Sequence, residues 1–198
     1  MTDKLDIAAL VGSRICHDLI SPIGAIGNGV ELISMAGSIT GPEMMLISES
    51  VAHANARIRF FRIAFGASGQ DQRIGRLEVA AVLSDISHGS RVQIEWDSPN
   101  DIARRDVKLV FLLILCLETA MPFGGKISVN RSETRWSLTA TSAKLRADAA
   151  LWQRLQNPKA VVEIGPAQVQ FALVPEELTR QHRRLSLEIG VAEIAVSF

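Results

Sequence analysis

The feature that most constrains the fold of this chain is a long helical repeat near its amino terminus. Its apolar or small residues alternate three and four positions apart, at Ala8, Val11, Ile15, Leu19, Pro22, Ile26, Gly29 and Ile33. At about 100° per residue, this spacing places them along one face of a helix. The repeat predicts a helix from Asp3 to about Ala36, bent at Pro22 because proline removes a backbone hydrogen bond and crowds the preceding turn.

A short turn and a second helical repeat follow. Residues 37–41 are expected to form the turn, with Thr40 or Gly41 capping the next helix and Pro42 in its first turn. The second repeat is a coiled-coil type seam at Ile47, Val51, Ala54, Ile58, Phe61 and Phe65. The short connection predicts an antiparallel hairpin. Because a hairpin alone buries two apolar stripes poorly, we expect a homodimer in which two hairpins form a four-helix bundle.

The small, polar segment Gly66 to Gln72 separates this hairpin from a region of different periodicity. We therefore predict a helical hairpin domain in residues 1–69 and a second domain in residues 75–198. Helices are predicted at Leu77–Ser87, Asp106–Met121, Ala147–Leu155 and Gln168–Gln181, the last bent or restarted at Pro175. Strands are predicted at Val92–Trp96, Lys126–Asn130, Trp136–Thr141, Leu185–Ile189 and Ala192–Phe198, after a tight turn at Pro122–Gly125. The fold class is α+β, a sandwich with helices on one face of a mostly antiparallel sheet.

Composition narrows the classes of function. The 198 residues are 47% hydrophobic and 21% charged, enough to bury a core. Lys plus Arg equals Asp plus Glu at 21 each, which argues against broad binding to nucleic acid or to an anionic membrane. Cys16 and Cys116 have no disulfide or metal spacing, and the amino-terminal residues lack a signal-peptide pattern. We expect a cytoplasmic protein.

His17 is the first candidate for chemistry. It lies about 200° round the helix from Ile15, away from the apolar stripe. Ser21, Gly24 and Asn28 follow it at helical spacing and form a row of small or polar side chains. Such a row suits the approach of another protein. The alternative is an ordinary solvated histidine.

The motif His17-Asp18-Leu19-x-x-Pro22 resembles the H-box of sensor histidine kinases, usually His-Glu-Leu-x-x-Pro on the first helix of a dimerising hairpin. The predicted elements after residue 75 also follow an order similar to that of the kinase ATP-binding domain. The nucleotide motifs differ, because Leu115 and Thr119 stand where asparagines are expected and residues 140–144 replace Asp-x-Gly-x-Gly. We therefore expect neither ATP binding nor autophosphorylation.

A histidine hairpin joined to a degenerate kinase ATPase-like sandwich is similar to the ChpT-like histidine phosphotransferases. The resemblance implies a homodimeric phosphotransferase that accepts a phosphoryl group on His17 from a receiver aspartate of a hybrid histidine kinase. It would pass the group to the receiver domain of a response regulator. The chain itself would bind no cofactor and no metal, and Mg²⁺ would come from the partner receiver domain.

Phosphoryl transfer needs an in-line nucleophile and charge stabilisation. An imidazole can supply the nucleophile, and Asp18 can orient its ring or accept its second proton. Arg14, one turn before His17, can attract phosphate, and Ser21, one turn after, can position it. For Arg14, Asp18 and Ser21, the alternative is an ordinary surface side chain.

Ile20, Ile23 and Gly24 near the imidazole fit a docking patch for a partner, or else part of the dimer core. Cys16 is rejected as a nucleophile because neighbouring helix positions point apart and Cys16 lies near the apolar stripe. Three functions follow from these patterns: a phosphorelay transferase, a non-catalytic dimeric adaptor for receiver domains, and an ATP-dependent histidine kinase with atypical nucleotide boxes. The first is preferred.

Overall fold

The computed structural model describes residues 6–36, 41–69 and 71–198. Helices α1 (Ile7–Ala36) and α2 (Pro42–Ala64) pack against each other as the predicted hairpin. Asp6 caps α1, since its carboxylate accepts a hydrogen bond from the Ala9 amide at 3.0 Å. The predicted start at Asp3 and the predicted cap at Thr40 lie outside the described residues. Helix α1 continues as a single helix through Pro22.

The rest of the chain is an α+β arrangement. Its helices are α3 (Arg76–Ser87), α4 (Arg104–Thr119), α5 (Ala149–Gln156) and α6 (Gln170–Arg180), with a 3-10 turn at Pro166–Gln168. Its strands are β1 (Arg73–Gly75), β2 (Val92–Asp97), β3 (Asp101–Ala103), β4 (Gly125–Ser132), β5 (Arg135–Thr141), β6 (Ser186–Ile189) and β7 (Glu193–Ser197).

Five of these strands form one mixed sheet in the order β2-β4-β5-β7-β6. Strand β2 runs parallel to β4, and the other three pairs in this sheet are antiparallel. The parallel pair requires a crossover, which α4 provides. Strands β1 and β3 form a separate short antiparallel pair that the sequence did not predict.

Helix α4 forms the centre of the core, as its nearly continuous apolar sequence predicts. Every residue from Asp106 to Leu117 is buried. Its two buried charges are paired, because Arg183 donates to Asp106 at 3.2 Å and Lys108 lies 2.8 Å from Glu177. Among the described helices, none has the length and apolar character of a membrane span.

Two predicted details of the second half differ in the structure. Helix α6 continues through Pro175, and the break predicted there lies earlier, between the 3-10 turn and Gln170. The Pro122–Gly125 turn depends on Gly124, which has φ 89°. A Cβ at that residue would lie 2.4 Å from the carbonyl oxygen of Arg91, so only glycine fits.

The end of α2 joins the hairpin to the second half through a shared core. Phe60 stacks on Phe111 of α4 with ring centroids 4.6 Å apart, and Ala56, Ile63 and Ala64 are buried in the same cluster. Of the seam predicted for α2, Phe61 is buried in this core, whereas Val51 and Ile58 are exposed and their pairing in a dimer stays a prediction. Helix α2 turns a different face towards the second half. The division of the chain into two domains stays a prediction.

Candidate functional site

The side chain of His17 projects from α1 into solvent, with 81% of its surface exposed. Its Nδ1 lies 3.1 Å from Oδ1 of Asp18, whose side chain is only 11% exposed. A carboxylate can only accept hydrogen bonds, so this contact assigns the ring proton to Nδ1. The lone pair of Nε2 is then available to an incoming electrophile.

Arg14 holds the same carboxylate from the other side. Its Nε donates to Oδ2 of Asp18 at 3.0 Å, and its Nη1 donates to the carbonyl oxygen of Ala167 at 2.7 Å. Ala167 lies in the 3-10 turn, so Arg14 ties the hairpin to the second half of the chain. Two of its donors are therefore engaged within the protein, and its attraction of a phosphoryl group stays a prediction.

The row that follows His17 lies on the solvent side of α1. Ser21, Gly24 and Asn28 are all exposed, and no neighbouring atom lies within 4 Å of the position that a Cβ of Gly24 would take. Ile20, which lies beside this row on α1, is 69% exposed. The structure thus leaves open space for a partner beside the imidazole.

The expectation that Cys16 lies near the buried stripe is wrong, because its side chain is exposed. It sits about 100° round from Ile15 and heads a second row on α1 with Ile20 and Ile23. Both of those isoleucines are exposed as well.

Arg57 of α2 is a functional candidate that sequence reasoning missed. It is half-buried and lines a cavity of about 430 Å³ together with Asp18, Ser21 and His53. The loop after α3 closes the other side of this cavity with residues that include His88. Nothing in the sequence signals this role, because Arg57 resembles the other arginines of a polar helix face.

Glu118, in the last turn of α4, is a second missed residue. Burial raises the pKa of its carboxyl, with a smaller contribution in the same direction from Asp18, whereas Arg57 and Arg14 act to lower it. The charges of Arg57, Arg14 and Asp18 thus act on Glu118, although it lies far from them in sequence. In the sequence it was only one position inside an altered nucleotide motif.

The side chains at the altered nucleotide-motif positions are buried or donate hydrogen bonds to backbone carbonyl groups of the protein itself. Leu115 is buried, and the Thr119 hydroxyl donates to the carbonyl oxygen of Cys116 at 2.5 Å. Ser142 is buried and donates to the carbonyl oxygen of Gly124 at 2.7 Å. Within residues 6–36, 41–69 and 71–198, no group of three or more His, Cys, Asp or Glu residues is arranged to hold a metal ion.

A family model, the histidine phosphotransferase C-terminal domain, matches residues 76–193, more than half of the chain. The chain belongs to the histidine phosphotransferase family. It is 35% identical over 148 residues to the protein phosphotransferase ChpT of Brucella abortus (strain 2308), covering 72% of this chain and 70% of the relative. The resemblance inferred from the H-box and the altered nucleotide motifs is thereby confirmed.

The solved structure of a bacterial phosphotransferase is similar to this histidine phosphotransferase over the whole chain. The two sequences are 29% identical, and the two structures superpose with a TM-score of 0.82 over 100% of this chain and 97% of the other. The family model begins after the hairpin, but this structural match includes it. The His17 hairpin is therefore part of the shared fold, and the chain is a phosphotransferase.

Proposed function

We propose that this histidine phosphotransferase acts in a two-component phosphorelay, with His17 as the covalent carrier. It takes the phosphoryl group from a receiver aspartate of a hybrid histidine kinase and gives it to the receiver domain of a response regulator. The observation that carries the proposal is the exposed imidazole whose Nδ1 is held by Asp18 at 3.1 Å.

The chemistry is an exchange of one phosphorus bond for another. Nε2 of His17 attacks the phosphorus of an aspartyl phosphate in line, the N–P bond forms, and the receiver carboxylate leaves with the electrons of the broken O–P bond. The ring becomes positively charged during attack, and Asp18 stabilises that charge through the Nδ1 proton. Onward transfer is the same step in reverse, with a second receiver carboxylate as the nucleophile.

The proposed roles of the neighbouring residues follow from their placement. Arg14 holds Asp18 in position, and its remaining N–H groups can contact the phosphoryl group. Ser21 lies one turn beyond His17, where its hydroxyl can position that group. Ile20, Gly24 and Asn28 form the surface on which a receiver domain docks, since all three are exposed beside the imidazole.

We further propose a homodimer that forms a four-helix bundle. Both hairpin helices expose rows of apolar side chains: Ile23 and Val30 on α1, and Met44, Val51 and Ile58 on α2. Scattered apolar residues are normal on a surface, but rows along two helices are typical of an interface. The row on α1 lies about 120–140° round the helix from His17, so pairing would leave the imidazole open to receivers.

The second half is proposed to be a kinase ATPase-like domain that no longer binds nucleotide. Its altered positions, Leu115, Thr119 and Ser142, bond within the fold or are buried. Mg²⁺ would come from the receiver domain, whose acidic pocket holds it during transfer. The cytoplasm is the proposed location, and the free thiols of Cys16 and Cys116 agree with a reducing compartment.

Label transfer tests the proposal. A receiver domain is labelled with radioactive acetyl phosphate, purified and mixed with the phosphotransferase. The parent protein is expected to acquire acid-labile label, H17Q to acquire none, and H182N, which changes an exposed histidine after α6 that does not line the cavity, to behave as the parent. A complex that forms without label on the parent would contradict the proposal and identify an adaptor.

Incubation with radioactive ATP and Mg²⁺, without a receiver, tests the remaining alternative. We expect no label on the protein, because the positions of the nucleotide motifs are occupied by side chains that serve the fold. Acid-labile label that depends on His17 would instead identify an ATP-dependent kinase. It would show that Leu115 and Thr119 do not prevent ATP binding.

A further inference from the structure

One side chain joins the 3-10 turn at Pro166–Gln168 to the buried core. Gln170, the first residue of α6, is fully buried. Its Nε2 donates to the carbonyl oxygen of Ala167 in the turn at 3.1 Å and to that of Leu115 in α4 at 3.4 Å. The two amide hydrogens of Gln170 therefore bridge the turn and the central helix of the core.

The same carbonyl oxygen of Ala167 anchors Arg14. A carbonyl oxygen has two lone pairs, and that of Ala167 accepts from Gln170 and, at 2.7 Å, from Nη1 of Arg14. The Nε of Arg14 donates to Oδ2 of Asp18 at 3.0 Å, and Oδ1 of Asp18 lies 3.1 Å from Nδ1 of His17. An unbroken series of direct contacts thus connects Gln170 to the imidazole.

The polar amide of Gln170 carries a cost for a core residue. Its Oε1 is buried and has no hydrogen-bond partner among the residues that the structure describes. Turning the amide over would not help, because Oε1 would then face the two carbonyl oxygens that Nε2 contacts. An apolar side chain of similar volume would avoid the unpaired buried acceptor, which usually destabilises a fold. The amide donor therefore points to a role beyond filling the core.

From these contacts we infer that Gln170 is a positioning residue for phosphotransfer, because it fixes the Ala167 carbonyl that anchors Arg14. Arg14 in turn holds Asp18 against Nδ1 of His17. The inference rests on the proposed function and deepens it. A neutral imidazole in water can carry its proton on either nitrogen, whereas a fixed Asp18 keeps the proton on Nδ1 and leaves Nε2 free to attack phosphorus.

The first test replaces Gln170 with methionine, which has a similar length but no amide donor. Q170M should lower the initial rate of label uptake from a phosphorylated receiver domain by about three- to tenfold. At a pH where the ring is neutral, nitrogen NMR of labelled histidine should show His17 change from a ring protonated on Nδ1 to a mixture of both tautomers. The midpoint of thermal unfolding should equal or exceed that of the parent, since the unpaired Oε1 is gone.

Gln181, at the end of α6, supplies a matched control. Its Nε2 also donates to a backbone carbonyl, that of Arg105 at 3.0 Å, and its Oε1 is likewise buried without a partner in the described part of the chain. The Arg105 carbonyl lies in the first turn of α4, outside the series of contacts that leads to His17. Q181M should therefore match the parent in both rate and tautomer.

A double-mutant cycle with Arg14 separates positioning from packing. R14K keeps the positive charge but presents one nitrogen in place of the guanidinium fork, so it loses the simultaneous hold on Asp18 and Ala167. If Gln170 acts through Arg14, adding Q170M to R14K should lower the rate no further. An undiminished effect of Q170M in the R14K background would show that Gln170 acts by another route, and the inference would be wrong.

An unchanged rate and tautomer in Q170M would also overturn the inference. Q170L, which lacks the donor but has a different shape, guards against a packing defect specific to methionine. If neither variant folds, Gln170 serves the core and not the site, and the inference fails. A parent protein that takes up no label would contradict the proposed function itself, whereas the tautomer of His17 would still report on the role of Gln170.

Discussion

His17 and Asp18 are neighbours in the chain, and their side chains meet although adjacent helix positions diverge by about 100°. The contact is possible because Arg14 holds the Asp18 carboxylate with Oδ1 turned towards Nδ1 of the imidazole. Asp18 is mostly buried while His17 is exposed. A buried acid beside an exposed ring is the arrangement that orients a nucleophile without blocking it.

Removing the charge of Asp18 should slow the transfer while leaving the fold intact. In D18N, an amide of nearly the same shape replaces the carboxylate, so the ring loses the group that stabilises its positive charge. We expect the initial rate of label uptake from a phosphorylated receiver to fall by about ten- to a hundredfold. D18E, which has the usual H-box residue, should retain most of the rate. An unchanged rate in D18N would show that the acid has no part in the transfer.

The sequence could predict the His17 row but not the residues that act on it from other elements. Ser21, Gly24 and Asn28 belong to one helix, so its period alone fixes their common face. Arg57 reaches the site through packing between elements that are distant in sequence. No local pattern reports such packing, and the hydrogen bond from Arg14 to Ala167 spans 153 positions.

At the scale of elements, the hairpin is closed by a tight contact between α1 and α2. Gly29 is buried there, and a Cβ on it would lie 2.5 Å from Cγ1 of Ile47. The glycine therefore lets the two helices approach more closely than any side chain would permit. Gly29 lies on the apolar stripe that the sequence predicts. The sequence does not reveal that Ile47 of α2 lies so close to it.

G29A should destabilise the protein by about 1–3 kcal/mol, because the added methyl group overpacks the contact with Ile47. Its matched control is G12A in the same helix, where no neighbouring atom lies within 4 Å of the new Cβ. There, alanine should raise the free energy of unfolding by up to about 1 kcal/mol, since glycine is the poorer helix former. Chemical denaturation measures both. Equal effects from the two substitutions would contradict the close contact.

The types of most elements could be predicted because long periodic segments determine them. Helix α4 is the best example, since an apolar sequence on all sides leaves it only the core. The pair β1 and β3 was missed because each strand has three residues, too few for an alternating pattern. Helix α6 continues through Pro175, and most of its residues are buried against α4 and α5. A local sequence pattern does not report that packing.

At the scale of the whole molecule, the two halves of the chain share one hydrophobic core. Phe60 of α2 stacks on Phe111 of α4, and Arg14 of α1 binds the 3-10 turn before α6. The second half therefore packs against α1 and α2 directly. In the proposed function, it would support the helix that carries His17 without any need for nucleotide.

The proposed dimer can be tested by placing a charge in its apolar rows. V30D puts a carboxylate into the exposed row of α1, where pairing would bury it at a large cost. We expect it to convert the dimer to a monomer, as measured by sedimentation equilibrium. V191D makes the same change at an exposed residue outside the hairpin and should leave the dimer intact. A monomeric parent protein, or a V30D variant that remains dimeric, would contradict the proposed bundle.

The most direct test of the account is to identify the atom that carries the phosphoryl group. After incubation with a phosphorylated receiver, phosphorus NMR of protein containing isotope-labelled histidine distinguishes a phosphoryl group on Nε2 from one on Nδ1. Because Asp18 occupies Nδ1, we expect a single phosphoramidate on Nε2 of His17 that is lost in acid and absent from H17Q. A phosphoryl group on Nδ1, on another histidine, or in an acid-stable ester would contradict it.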